Sequence, residues 1–76
     1  MNKRQIEKIN QILEEYFTTH KERVRALEMM KYFVEAGVFV ADNEARPGLP
    51  LRNLLRELDA DNMLFLNLVP SVRPLL

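Results

Sequence analysis

Pro50-Leu51-Arg52-Asn53-Leu54-Leu55-Arg56-Glu57-Leu58-Asp59 is the stretch that sets the class of the fold. Its four leucines fall at i, i+3, i+4 and i+7, which gathers them on one face of an α-helix and leaves Arg52, Asn53, Arg56 and Glu57 on the other. Pro50 suits a first helical turn, where its missing N–H has no partner to lose. The spacing predicts a helix over about 50–59, entered from a loop, 41–49, in which Asp42, Asn43, Pro47 and Gly48 supply turn chemistry.

Upstream of that loop the same period recurs. Over about 20–36, Val24, Ala26, Leu27, Met30, Phe33 and Val34 form a broad apolar face that Met29, Tyr32 and Ala36 widen, and only Lys21, Glu28, Lys31 and Glu35 keep a polar strip. A helix so apolar is expected at the centre, packed on more than one side. Thr19-His20-Lys21-Glu22 matches a capping box at its start, and Gly37 suits a left-handed cap at its end. Val38-Phe39-Val40, β-branched and aromatic, predicts a short extended segment over about 38–40. A first amphipathic helix is expected over about 2–17, with Ile6, Ile9, Ile12, Leu13, Tyr16 and Phe17 on one stripe, before Thr18-Thr19-His20 interrupts the pattern.

Downstream, Asp59-Ala60-Asp61-Asn62 reads as an exit turn. Met63-Leu64-Phe65-Leu66-Asn67-Leu68-Val69 is nearly all apolar, too short to span a bilayer, and followed by Pro70 and Pro74, which limit regular pairing. It is either a strand or a short buried helix, and the tail 63–76 is taken as extended and strand-like. The expectation is therefore one small domain over 1–76, mainly α with an α+β arrangement left open: three helices, a short extended segment after the second, and an apolar strand-like tail.

A chain of 76 residues has a thin core, and the absence of Cys removes disulfides as a staple. Self-association is the staple that remains. Eleven basic residues balance eleven acidic ones, so no global field draws the chain to nucleic acid or to an anionic membrane. No apolar run has the length of a signal-peptide core or of a membrane span, so a reducing, cytoplasmic setting is expected.

Catalytic chemistry finds little to work with, because there is no Cys, a single Ser71 and a single His20. His20 reads as a loop histidine, Met29 and Met30 as core fillers, and Glu57, Asp59 and Asp61 as solvated acids at a helix end rather than a cation loop. Without a glycine-rich phosphate loop or a cluster of metal ligands, no cofactor is expected. The chain is expected to be a non-enzymatic interaction or regulatory module.

Two interaction surfaces are candidates. The first is apolar: Met63, Phe65, Leu66, Leu68, Val69, Leu75 and Leu76 are more hydrophobic surface than so short a chain readily covers, which favours a homodimer or an unknown protein partner. The second rests on element order, which is similar to part of a winged helix-turn-helix domain, with Arg52, Asn53 and Arg56 toward a DNA groove and Arg46 and Arg73 toward phosphates. Glu57, Asp59 and Asp61 place negative charge beside that helix, and only one wing strand is visible.

Overall fold

The computed structural model describes residues 2–20 and 25–76. Among them the chain forms helices α1 (Lys3–Thr19), α2 (Ala26–Glu35), α3 (Leu49–Ala60) and α4 (Val69–Val72), then a 3₁₀ turn, Arg73–Leu75, with no strand. The mainly α class is as the periodicity implies.

Asn2 and Gln5 start α1 with a reciprocal cap: Gln5 N–H donates to Asn2 Oδ1 at 2.9 Å, and Asn2 N–H to Gln5 Oε1 at 3.1 Å. The helix runs through Thr18 and Thr19, two residues past its expected end. Both hydroxyls donate back to the carbonyls of Glu14 and Glu15 at 2.7 and 2.9 Å, so these threonines are satisfied inside the last turn.

Helix α2 begins later than the expected residue 20. Arg25 is extended (φ −111°, ψ 146°), so no continuous helix passes through it, and its N–H donates to the Glu28 carboxylate at 3.3 Å. The capping box over Thr19–Glu22 lies partly outside the described residues. At its other end α2 stops as Gly37 predicts: Gly37 adopts φ +80°, its N–H bonds to Val34 O, and Val38 N–H bonds to Phe33 O, the pair of bonds that defines a Schellman cap. Helix α3 ends the same way, with Asn62 at φ +55° and Met63 N–H reaching Leu58 O at 2.8 Å.

Residues 38–40 are a correction to the expected extended segment. Val38 and Val40 are bends, with Phe39 between them tilted against Phe33 at 6.3 Å and Val40 fully in solvent, and the described residues offer no strand to pair with them.

Each long helix buries one stripe: Ile9, Leu13 and Tyr16 from α1; Ala26, Met29, Met30 and Phe33 from α2; Leu51, Leu54, Leu55 and Leu58 from α3. α2 packs against both α1 and α3, the central place its wide apolar face implies. The molecule measures 31 × 30 × 20 Å, about two helix diameters thick, so one layer of side chains makes the core.

The loop into α3 is held by its own side chains. Asp42 Oδ1 accepts from the N–H groups of Asn43 and Gly48, and Asn43 Oδ1 from Arg46 N–H. Gly48, buried at φ +86°, then lies against the start of α2: a Cβ there would sit 2.6 Å from the Leu27 nitrogen. Glycine is required for this approach of two helix starts.

The tail is the larger correction. It is not a strand: Leu64, Leu68, Val72 and Leu75 join the core at helical intervals, through a turn, α4 and the 3₁₀ turn. Pro70 and Pro74, read as obstacles to pairing, occupy the first turns of these two pieces, where a fixed φ favours the helical path.

Candidate interaction surface

The surface is built from the inside out, starting at Asn10. This residue is fully buried on α1, and its amide makes three hydrogen bonds: Nδ2 donates to Ile6 O at 2.8 Å and to Met63 O at 3.0 Å, and Oδ1 accepts from Phe65 N–H at 2.7 Å. Bonding to the carbonyl before Leu64 and the N–H after it is the pattern by which one residue of a parallel strand pairs with its neighbour. A side chain thus supplies the pairing that the sequence suggested a strand would. Leu64, between the two bonded residues, points into the core.

Phe65 is held again on its far side, where its carbonyl accepts from Leu68 N–H at 2.8 Å. Residues 65–68 therefore form a turn clamped at both ends, with Leu66 and Asn67 at its apex. Turn apices favour Gly, Pro, Asn, Asp and Ser, yet Leu66 stands here at 88% exposure. Met63 and Phe65 flank it at 42% and 40%.

Of the seven residues expected to carry self-association, Met63, Phe65 and Leu66 form this exposed ridge. Leu68 and Leu75 are buried in the chain's own core, and Val69 and Leu76 are half-buried against it. The tail thus covers most of its own apolar surface, and the remaining demand is concentrated on one turn.

Leu75 and Leu76 belong to a second feature, an open groove of about 610 Å³. It lies where the starts of α2 and α3 meet the 3₁₀ turn, with Leu27, Leu75 and Leu76 on its walls and Arg25 and Arg52 among its lining residues. Leu27 is 42% exposed there. Sequence periodicity had assigned Leu27 to the buried face of α2; its place in the first turn, beside Gly48, leaves it at the groove instead.

The residues expected to face nucleic acid lie on three elements. Arg52, Asn53 and Arg56 are exposed on α3, Arg46 on the preceding loop and Arg73 on the 3₁₀ turn. Arg56 Nη2 donates to Leu76 O at 2.6 Å, so it fastens the tail to α3. The described residues contain no strand and so no wing.

His20 sits in an aromatic corner at the end of α1. Its ring stacks on Tyr16 at 4.0 Å, and Tyr32 meets Tyr16 edge-on at 5.1 Å, around a hollow of about 250 Å³. Burial, helped by the nearby Glu28 and Tyr32, pushes the Tyr16 hydroxyl above its ordinary pKa. Asp59 and Asp61 stand at the end of α3, and no cluster of three or more His, Asp or Glu side chains suited to a metal occurs among the described residues. Nor is any described helix long and apolar enough to cross a membrane.

No family model matches this chain, and neither the curated proteins nor the solved structures contain a match to it.

Proposed function

We propose that this chain is a non-catalytic interaction module that binds a second copy of itself through the apolar turn Met63–Leu66, with a dimer as the smallest assembly. The observation that carries the reading is Leu66: a large apolar side chain, 88% exposed at a turn apex, on a loop that two hydrogen bonds with the side chain of a buried asparagine hold in place. A frayed loop exposes leucine by accident. A clamped one displays it, and with Met63 and Phe65 it puts three large apolar side chains in solvent within four residues, the kind of exposed apolar surface that marks an interaction site.

The non-catalytic part rests on composition, since the chain has no Cys, a single Ser71 and a single His20, and among the described residues His20 stacks on Tyr16 while Ser71 lies on α4. A chain without cysteine suits a reducing, cytoplasmic setting. DNA binding through α3 has less support, because Arg56 is engaged with the tail and the described residues offer no second contact surface of the wing type.

Sedimentation velocity over a wide concentration range tests the reading. The wild-type chain is expected to gain mass with concentration and the Leu66→Asp variant to remain monomeric; a wild-type chain that stays monomeric at the highest concentration overturns it.

A further inference from the structure

The apolar ridge and the groove differ in charge as well as in shape. The chain enters the ridge through Asp59 and Asp61, the acids at the end of α3, whereas Arg25 and Arg52 line the groove at the starts of α2 and α3. Ridge and groove are therefore associated with opposite ends of one twelve-residue helix, about 18 Å long. Each end carries charge of the sign that its own helix dipole disfavours: Arg52 sits near the positive start of α3, and Asp59 and Asp61 at its negative end.

We infer that the partner seated in the Arg25–Arg52 groove is the Leu66 turn of a second copy, so that the chain associates head to tail. The inference rests on self-association as proposed above and adds its geometry. A convex apolar turn entered through acids complements a groove walled by Leu27, Leu75 and Leu76 with two arginines among its lining residues. Contact between different patches is heterologous: a pair formed this way keeps one free ridge and one free groove, and it grows by further addition unless the rotation closes a ring. The charge pairing also makes assembly weaken as salt is raised.

The test mixes two disabled chains. Leu66→Asp removes the ridge and leaves the groove; Leu27→Asp combined with Arg52→Glu removes the groove and leaves the ridge, and all three positions are exposed. Each variant alone is expected to sediment as a monomer, with association weakened about tenfold or more. An equimolar mixture is expected to form a one-to-one dimer that does not grow further, because each chain supplies the surface the other lacks. Should either variant lose its helical circular dichroism, Leu66→Ser or Arg52→Glu alone takes its place. A mixture that stays monomeric while the wild-type chain associates overturns the head-to-tail arrangement and leaves self-association standing. A monomeric wild-type chain overturns both.

Discussion

The Asn10 side-chain carbonyl, wholly buried on α1, accepts a hydrogen bond from Phe65 N–H at 2.7 Å, joining residues 55 positions apart. With the reciprocal bond from Asn10 Nδ2 to Met63 O, it fixes the loop between α3 and α4 to the first helix. Buried polar groups are tolerated where every donor finds an acceptor, and among the described residues no buried side-chain nitrogen or oxygen lacks a partner. The apolar turn is thus presented by a polar pin.

Replacing that pin leaves Met63 O and Phe65 N–H without their partner. Asn10→Ala is expected to cost about 2–4 kcal/mol, from two stranded backbone groups and a small cavity. Chemical denaturation measures the loss. Hydrogen exchange locates it, since the Phe65 amide is expected to lose protection even under conditions where α1 and α3 remain folded.

Two glycines with nearly equal φ separate backbone strain from steric overlap. Gly37→Ala pays for the left-handed conformation alone, about 1–2 kcal/mol, because nothing lies within 4 Å of the added carbon. Gly48→Ala adds a collision with the Leu27 backbone at 2.6 Å, raising the expected cost to about 3–5 kcal/mol. Equal denaturation midpoints for the two variants would contradict the close approach of α2 and α3.

Leu66 and Leu68 stand two residues apart in the same apolar run, one in solvent and one 3% exposed in the core. Leu68→Ala is expected to destabilise the chain by about 2–5 kcal/mol, whereas Leu66→Ala changes the stability of the isolated monomer by less than about 0.5 kcal/mol. Thermal melts at low concentration distinguish them. A large loss at Leu66 under those conditions would mean that the turn is not where it is described.

Tyr16 predicts an alkaline limit to stability. Its folded-state pKa lies above the ordinary value near 10, chiefly because burial disfavours the phenolate. As pH rises past 10 the unfolded chain releases this proton first, so stability that is complete below that value is lost as pH climbs through the folded pKa. Denaturation midpoints at pH 8 and pH 11 are expected to fall for the wild-type chain and to fall less for Tyr16→Phe.

How much of this was legible in the sequence differs by element. Leu51, Leu54, Leu55 and Leu58 announced α3 because leucine at helical spacing has one economical explanation, and Gly37 announced its cap because few residues adopt φ +80°. The tail was not legible in the same way. Within Met63–Val69 nearly every side chain is apolar, so the helical interval that runs through Leu64, Leu68, Val72 and Leu75 is hidden by Phe65 and Leu66 between them. Asn10 was invisible for the opposite reason: a lone amide beside Ile9 looks like a solvent-facing helix residue, and its partners lie far along the chain. The Asn2–Gln5 cap went unread, although a capping residue three positions before Gln is a local pattern. The groove with Arg25 and Arg52 was not legible, because it depends on the tertiary meeting of α2, α3 and the 3₁₀ turn.

If Leu66 is the contact to a second copy, methyl NMR of a leucine-labelled chain reports it. Over a dilution series the Leu66 methyl signals are expected to shift or broaden with rising concentration, while those of Leu55, buried in α3, hold still. Leu66 signals that remain sharp and unmoved up to millimolar concentration would contradict the proposed contact.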